Sequence, residues 1–512
     1  MSQPATLLLP VPSVPGMISK VKAAVSGLVG SLSNKQSALP GPCTPEKEPP
    51  AAAAAKPQPP CRPPFLKLSP EEFQKSGDHN SRTILSLKCP GELHWGTGYA
   101  EVINAGKSQH NEDQACCEFV DVQKRENALN SKCDESQNAN GQSDNKASDR
   151  LSFHYWGLFD GHAGYGCALT ASRLLHFHIC DQLRDLVHIL EQPTVAAPLC
   201  LDSSIRNGTV SVTPTEEKTE PPLESAIRFH LEKQIFPESL VIGSLENAFK
   251  QMDEQIKRER TSHSIEGGCC ALVAICLLDK LFVANAGDSR AIIIQDGKTI
   301  PMSQEFTPET ERQRLQLLAS LQPDLLGNEF TCLEFPRRIQ QKELRRRMLY
   351  RDHTMAGWAY KTIEEDDMKF PLIYGEGKKA RVMATIGVTR GFGDHDLKVY
   401  NSNIYIKPFL SCMPEVQVYN LSKCERSGDE VMVMGTDGLW DVITDREVAD
   451  IVQRVFKGHG PDEPNRYNIA AQELIRQTRG VRRESGWRLA NGKLASLDDI
   501  SVFIIPLNGH GS

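Results

Sequence analysis

The stretch that decides the fold is Cys269–Ile300, "CCALVAICLLDKLFVANAGDSRAIIIQDGKTI". Its apolar runs are rich in β-branched residues, and such runs are typical of strands. Turn residues interrupt them at Asp279-Lys280 and again at Asp296-Gly297, where a chain reverses easily. The stretch therefore predicts successive strands joined by tight turns.

The sequence on either side continues this pattern of strands and adds helices. "FDGHAG" (Phe159–Gly164) follows an apolar run, and there the chain is expected to turn. After it, leucine and isoleucine recur at three- and four-residue steps from Leu175 to Leu190, which predicts an amphipathic helix. Gly428–Phe456 predicts a strand, a loop and a helix, and Ser496–Leu507 predicts a final strand. These elements indicate a mixed α/β or α+β domain.

Composition limits the class of protein. The 512 residues carry 58 basic and 65 acidic side chains, a net charge of -7. This balance provides no general attraction to nucleic acid or to an anionic membrane. The 15 cysteines form no C-x-x-C pair, which favours reduced thiols in a cytoplasmic location, with a nuclear one left open. No apolar run is long enough to span a membrane, and the N-terminal residues do not resemble a signal peptide.

The chain divides into an extension and a folded domain. Residues 1–84 are expected to be mostly disordered because 33–64 are rich in proline and alanine. Residues 17–34 predict a short amphipathic helix, which either makes peripheral contact with a membrane or docks on its own domain. Residues 85–508 are expected to form the domain, with polar insertions near 123–150 and 193–225.

Acidic residues recur at the ends of the predicted strands, in the order Glu112, Asp113, Asp160, Asp288, Asp437, Asp441, Asp498 and Asp499. Each alone fits a turn or a cap. Together, on strands that share a sheet, they would converge and need cations between them. Carboxylate and carbonyl oxygens suit Mg²⁺ or Mn²⁺, and Asp160-Gly161 offers one of each. His162, two residues from Asp160, is the candidate general acid for a leaving alkoxide.

At this point the sequence resembles the metal-dependent serine/threonine protein phosphatases of the PPM class, type 2C. The motifs stand in the family's order over roughly residues 95–507: Glu112-Asp113, "FDGHAG", "GDSR", "TRGFGDHD", "TDGLWDV" and "DDISV". The branch with a long flap segment is the most similar, through "GYAEVINAGKSQHNEDQ". The resemblance implies an α+β fold, a four-layer αββα sandwich of two antiparallel sheets flanked by helices.

The resemblance also implies roles for individual residues. Asp160 would bridge two Mg²⁺ or Mn²⁺ ions and Gly161 would contribute its carbonyl, while Asp437 and Asp498 hold the first ion. Glu112 and Asp113 would act through the surrounding waters. Asp288 and Asp441 would frame a third metal position, and His162 would be the general acid.

One position departs from the family pattern. Many members carry a phosphate-gripping arginine where this chain has Ser108. The neighbouring Lys107 could supply the charge, although an ammonium lacks the bidentate fork of a guanidinium. An exposed loop lysine is the alternative. Arg390 in "TRGFGD" is expected to be structural.

A long segment near 304–380 predicts an extended flap. It contains "PRRIQQKELRRRMLYRDH" (Pro336–His353), in which positive charge is concentrated. The arginines proposed for substrate recognition are Arg337, Arg338, Arg345, Arg346 and Arg347. They would attract acidic or phosphorylated surfaces, and the alternative is a solvated helix face balanced by the acidic Thr362–Lys369. The similar branch implies phosphorylated small GTPases among the phosphoprotein substrates.

Two other functions compete with this interpretation. A cysteine-based phosphatase would need a C-x5-R loop, and this spacing occurs at Cys167–Arg173, Cys200–Arg206 and Cys332–Arg338. No histidine precedes any of these cysteines, and the first match falls within the predicted helix. The second rival is a catalytically weak pseudophosphatase that serves as a binding scaffold. The presence of the central acidic residues and of His162 argues against it, and only Ser108 favours it.

Overall fold

Two antiparallel sheets form the centre of the computed structural model, which describes residues 62–124, 150–191, 235–423 and 429–507. Strands are numbered along the chain. The first sheet contains β3 (Gln114–Gln123), β4 (Arg150–His162), β5 (Gly268–Leu277), β6 (Lys280–Ala286), β15 (Phe392–Gly393) and β16 (Glu415–Asn420). The second contains β1 (Leu85–Ser86), β2 (Gly98–Val102), β7 (Arg290–Gln295), β8 (Lys298–Pro301), β17 (Val431–Gly435) and β20 (Ile500–Pro506).

The strand order explains how distant motifs meet. The first sheet has the order β16-β6-β5-β4-β3, and β15 also pairs with β5. The second has the order β1-β2-β20-β17-β7-β8. Every pairing within the two sheets is antiparallel. Strands β5, β6, β7 and β8 come from the stretch that predicted successive strands, and the turn at Asp296-Gly297 joins β7 to β8 as expected.

Helices cover the outer face of each sheet. The α-helices of the described residues are α1 (Pro70–Ser76), α2 (Gly166–Arg184), α3 (Val187–Glu191), α4 (Pro237–Glu259), α5 (Arg312–Leu321), α6 (Asp437–Trp440), α7 (Asp445–Gly458) and α8 (Arg466–Arg479). The predicted stripe from Leu175 to Leu190 lies in α2 and α3. Helices α2 and α4 pack on the first sheet, and α7 and α8 pack on the second.

Successive side chains along a strand pack into different cores of the sandwich. On β4, Trp156 and Leu158 face the second sheet, while Phe153 and Phe159 face α2 and α4. Because successive strand residues point to opposite faces, one strand contributes to two cores. The four-layer αββα sandwich is therefore confirmed.

The folded unit begins earlier than the boundary expected at residue 85. Leu66 is fully buried in the core between the sheets. Arg82 is also buried, and its guanidinium donates to the carbonyls of Ile103, Ser496 and Asp498. The average composition of residues 1–84 is dominated by the proline-rich segment, so it did not reveal that Leu66 and Arg82 are buried in the fold. Residues 17–34 and most of 123–150 and 193–225 lie outside the described residues.

The flap is a folded unit with its own core. Helix α5 and the short strands surround a cluster that includes Leu315, Phe330, Leu372 and Phe409. The strands are β9 (Phe330–Thr331), β10 (Arg347–Tyr350), β11 (Ala359–Thr362), β12 (Phe370–Pro371), β13 (Ile373–Tyr374) and β14 (Arg381–Val382). Strands β10 and β11 form a hairpin, so the arginine-rich segment is not a helix face. A further hairpin pairs β18 (Val481–Arg483) with β19 (Gly486–Arg488).

Strand β4 differs from expectation at "FDGHAG". It stays extended through Asp160, Gly161 and His162, which pair with β5. The chain turns one residue later, at Ala163 with φ 55° and Gly164 with φ 120°. The pairing with β5 holds the first residues of the motif straight. Among the described residues, no helix has the length and apolar character needed to cross a membrane.

Candidate metal centre and catalytic residues

Three carboxylates converge at one end of the sandwich. Asp160 lies near the end of β4, Asp288 follows β6, and Asp437 begins α6 directly after β17. One oxygen atom from each carboxylate lies within 4.8 Å of the others. The backbone N–H of Asp437 also donates to Oδ2 of Asp160 over 3.3 Å. Two strands of the first sheet and one of the second thus supply a single cluster.

The electrostatics of this cluster favour a cation. Burial raises the pKa of Asp160 well above its usual range, and the negative charges of Asp437, Asp113 and Asp288 raise it further. Burial and neighbouring carboxylates likewise raise the pKa of Asp437. Such a cluster is costly unless positive charge compensates it. The oxygen-only donor set fits Mg²⁺ or Mn²⁺, so these residues suit the cations that the sequence predicted.

Asp288 is a member of the carboxylate cluster with Asp160 and Asp437. The third metal position that the resemblance implies for Asp288 would therefore adjoin the first two. Oδ1 of Asp288 accepts a hydrogen bond from the Cys270 thiol at 3.3 Å. Burial is the main reason that its pKa is raised.

The acidic pair Glu112-Asp113 borders this cluster. Oε1 of Glu112 accepts a 2.6 Å hydrogen bond from the backbone N–H of Gly164, just beyond the turn. Asp113 is buried, and its Oδ2 accepts from the Thr436 hydroxyl at 2.9 Å. Its Oδ1 has no hydrogen-bond partner. An unpartnered, buried carboxylate oxygen is a further mark of a site that takes a cation or its water.

The loop after β19 brings two more aspartates. Oδ2 of Asp498 forms an ion pair with Lys107. Asp499 is buried and accepts from the backbone N–H of Asn104 at 2.8 Å and of Glu112 at 3.1 Å. Burial raises the pKa of Asp499 to about 6. Asp499 therefore joins the loop of Glu112 to the loop of Asp498.

Gly161 has no room for a side chain. A Cβ atom at this position would lie 2.5 Å from the carbonyl oxygen of Glu112. This close backbone approach sets the acidic pair beside the strand that carries Asp160. The glycine is thus required by packing as well as by its predicted contribution of a carbonyl.

His162 has a carboxylate partner. Its Nε2 lies 2.7 Å from Oδ2 of Asp394, which follows β15. Gly268 of β5 lies between them, and a Cβ atom there would be 2.3 Å from Asp394 Oδ2 and 2.7 Å from His162 Nε2. Burial lowers the pKa of His162, but the charge of Asp394 and the hydrogen bond to it outweigh burial and raise it. The imidazolium form is thereby favoured.

The loop that carries Asp394 is itself anchored. Oδ1 of Asp253, on α4, accepts from the backbone N–H of Gly393 at 2.9 Å. The same oxygen lies 3.1 Å from Nε2 of His395 and 3.0 Å from Nζ of Lys407. A helix that covers the sheet thus fixes the loop beside His162.

Lys107 faces the acidic centre, not open solvent alone. Its ammonium contacts Asp498, and the charges of Asp437 and Asp160 also act on it. Burial lowers its pKa, yet these carboxylates raise it overall, so the lysine is charged. The Ser108 hydroxyl donates to the carbonyl of His110 at 2.7 Å and so stabilises the conformation of this loop.

Asp441, the other residue assigned to a third metal position, is exposed. Its Oδ1 contacts Nζ of Lys378 at 2.5 Å. Lys378 belongs to the flap, and its ammonium also donates to the carbonyl of Trp440 at 3.4 Å. The flap thereby reaches the rim of the site through one lysine.

The five arginines chosen for substrate recognition are all exposed. Arg337 forms an ion pair with Glu343, Arg338 stacks over Phe370, and Arg347 lies over Tyr360. Arg345 and Arg346 directly precede β10 in the chain. They lie on the flap and do not line the carboxylate cluster. Arg390 is structural, as expected: it forms an ion pair with Glu311 and stacks on Phe306.

The cysteine-based alternative has no structural support at Cys167. Cys167 is fully buried in α2, where it packs against Cys269. A helix interior cannot wrap a phosphate with backbone N–H groups.

Sequence reasoning did not assign Asp394, Asp253 or Lys378 to the site. Asp394 had a weak signal, because it stands in the quoted motif "TRGFGDHD" beside glycines. It lies 232 residues from His162 in the chain, so no local spacing reveals the pair.

Comparison with known proteins identifies the family. The family profile described as protein phosphatase 2C matches residues 214–321 and 363–484. Protein phosphatase 1H of Homo sapiens is 57% identical over 470 residues, which cover 87% of this chain and 90% of that protein. The chain belongs to the protein phosphatase 2C, or PPM, family.

A second curated relative is similar over nearly the whole chain. Protein phosphatase 1J of Homo sapiens is 54% identical over 520 residues, which cover 97% of this chain and all of that protein, 100%. A solved structure, the serine-threonine phosphatase 2C from Toxoplasma gondii, is 15% identical to this chain, with a TM-score of 0.39. The match covers 83% of this chain and 99% of that one. As a protein phosphatase 2C, the chain is a metal-dependent serine/threonine phosphatase that acts on phosphoproteins.

Proposed function

We propose that this phosphatase hydrolyses phosphoserine and phosphothreonine at a centre of two Mg²⁺ or Mn²⁺ ions. The observation that carries the proposal is the convergence of Asp160, Asp288 and Asp437 beside the His162–Asp394 pair. Asp160 and Asp437 would hold the ions with Asp498 and the Gly161 carbonyl, and Glu112 and Asp113 would orient their waters. Asp288 and Asp441 would contribute to a third position.

Bound cations of this kind supply an activated water and neutralise charge on the phosphoryl group. The protein's own residues account for the remaining chemistry. Because Nε2 of His162 is held by Asp394, the proton for the leaving serine or threonine oxygen comes from the other ring nitrogen, Nδ1, directly or through an intervening water. Lys107 provides a charge for the phosphate at the rim, as a point charge and not a fork.

The proposal can be tested on the purified full chain. Hydrolysis of a phosphothreonine peptide and of p-nitrophenyl phosphate is measured with Mg²⁺, Mn²⁺ or EDTA. EDTA and Asp437→Asn are expected to abolish both activities, whereas Asp121→Asn, an exposed carboxylate of β3, should leave them unchanged. His162→Gln should lower peptide turnover much more than p-nitrophenyl phosphate turnover, because nitrophenolate leaves without a proton.

A scaffold without catalysis is the alternative that these assays address. Absence of turnover with every cation, together with retained binding of phosphoprotein, would favour it. Loss of turnover on thiol alkylation would instead favour a cysteine-based phosphatase.

The flap supports a proposal about substrates. Five exposed arginines of the flap form a basic surface that suits acidic or phosphorylated proteins. They are Arg337, Arg338, Arg345, Arg346 and Arg347. Phosphorylated small GTPases would fall within this class. Arg345→Glu with Arg346→Glu should raise KM for a folded phosphoprotein at low salt and leave p-nitrophenyl phosphate turnover unchanged. Equal effects on both substrates would contradict the proposal.

Location is a separate proposal that rests on the sequence. We propose a cytoplasmic protein in which residues 17–34 contact a membrane peripherally, with docking of this segment on its own domain as the alternative. Co-sedimentation of the full chain with phosphatidylserine vesicles should fall when residues 17–34 are deleted, and unchanged sedimentation would contradict this contact.

A further inference from the structure

A cleft adjoins the metal centre and extends beyond the residues that the mechanism uses. It has a volume of about 670 Å³ and lies between the loops that carry Lys107, Asp441 and Asp498. Binding sites for small groups commonly fall in this size range, roughly 300–1,000 Å³. Its charged side chains are Lys107, Asp441 and Asp498, and its larger apolar side chains are Val442, Leu494 and Leu497. The cleft is therefore charged at the catalytic end and largely apolar beyond it.

Two leucines of this cleft face solvent. Leu494 is 52% exposed and Leu497 is 42% exposed. Single exposed leucines are ordinary, but two that share one concave wall present a combined apolar surface. Neither is needed to close a core in the described structure. Their placement suits a ligand that covers them.

Backbone hydrogen bonds fix the walls in place. Ala495 donates to the carbonyl of Trp487 at 3.2 Å, and Ser496 donates to Thr478 at 3.0 Å. On the facing wall, Ala105 donates to the carbonyl of Leu497 at 2.9 Å. The cleft is thus preformed, which lowers the entropic cost of filling it.

The position of the cleft indicates its occupant. Lys107 and Asp498 belong both to the cleft and to the catalytic centre, where the phosphorylated residue must lie. Neighbouring residues of an extended peptide are about 3.8 Å apart between Cα atoms, so a flanking side chain reaches the adjoining wall. Of the described residues that line the cleft, two are carboxylates and one is a lysine. Acidic flanking side chains are therefore disfavoured relative to apolar ones.

We propose that this cleft binds an apolar side chain that flanks the phosphorylated serine or threonine of the substrate. The inference rests on the proposed function and adds a specificity determinant to it. Leu494 and Leu497 supply the contact, while Lys107 marks the end at which the phosphate lies.

Phosphothreonine peptides in a glycine and alanine background provide the test. Leucine, serine or glutamate is placed at one position at a time, from three residues before to three residues after the phosphothreonine. With Mn²⁺, leucine at one position should raise kcat/KM roughly tenfold over serine. Leu494→Ser should remove this preference, and Leu494→Arg should turn it toward glutamate. Turnover of p-nitrophenyl phosphate, which has no flanking residue, should not change.

A matched control separates the cleft from general surface effects. Leu321→Ser removes an exposed leucine of α5 that does not line the cleft, and the preference for leucine should remain. Active enzyme without any leucine preference, or with a preference that survives Leu494→Ser, would overturn the inference alone. Loss of all turnover in the unmodified protein would overturn the proposed function as well.

Discussion

His162 and Asp394 form a 2.7 Å contact across a position of β5 that has no side chain. The aspartate keeps the imidazole charged and limits its rotation. His162 ends β4 and Asp394 directly follows β15, and both strands pair with β5, so the sheet sets the separation of the two residues.

Asp394→Asn should impair catalysis of substrates with poor leaving groups. The amide keeps the shape but loses the negative charge that favours imidazolium. We expect kcat for a phosphothreonine peptide to fall about tenfold to a hundredfold, with a smaller loss for p-nitrophenyl phosphate. Asp396→Asn is the matched control, because Asp396 is exposed and pairs with Arg260. Equal losses on both substrates would show that Asp394 does not act through the leaving group.

Asp437→Asn should stabilise the metal-free protein and remove its response to metal. Burial raises the pKa of Asp437, and repulsion from Asp288 and Asp498 raises it further, so an uncharged amide is less costly here when no metal is bound. We expect the free energy of unfolding in EDTA to rise by about 1 kcal/mol. Mn²⁺ should raise the urea midpoint of the unmodified protein but not of the variant. An equal midpoint shift in both proteins would argue against Asp437 as a ligand. Asp450→Asn, an exposed position of α7, serves as the control.

Gly161→Ala should destabilise the fold strongly. The new methyl would overlap the carbonyl of Glu112 at 2.5 Å, and two backbones would have to separate. We expect a loss of about 2 kcal/mol or more in the free energy of unfolding. Gly243→Ala in α4 meets no atom within 4 Å and should instead add up to about 1 kcal/mol. Urea unfolding of both variants checks the contrast, and similar values would contradict it.

Asp253 should make stability depend on pH. Burial raises its pKa, but the hydrogen bond to His395 and the charge of Lys407 lower it below the ordinary 3.8. The ionised form therefore stabilises the fold above that value, and this stabilisation is lost as pH falls through the lower, folded pKa. Asp253→Asn should cost roughly 2 kcal/mol near neutral pH. The difference from the unmodified protein should narrow below pH of about 4, and a constant difference in urea titrations down to pH 3 would contradict this role.

Local sequence patterns predicted the frame of the molecule well. The apolar runs of Cys269–Ile300 became four consecutive strands, and the stripe from Leu175 became α2 and α3. Period and turn chemistry are local properties, so one sequence reveals them. The layer order came from the family resemblance and not from these patterns.

The remaining features depend on contacts between distant parts of the chain. Lys378 reaches Asp441 across 63 residues, and Arg82 reaches Ser496 across 414 residues. Nothing near Arg82 indicates that its guanidinium closes a buried loop. The straight path of β4 through His162 also depends on β5, and so the turn was placed too early.

Gly268 leads to a consequence for any survey of tolerated substitutions. It contributes no proton, charge or ligand atom, and its importance is the volume that it leaves empty between His162 and Asp394. Even the smallest side chain would intrude on both partners. A search for chemically active groups would pass over position 268, whereas a saturation screen for turnover should find it among the least permissive in β5. The active site thus depends on the absence of a side chain at position 268 as well as on the groups that react.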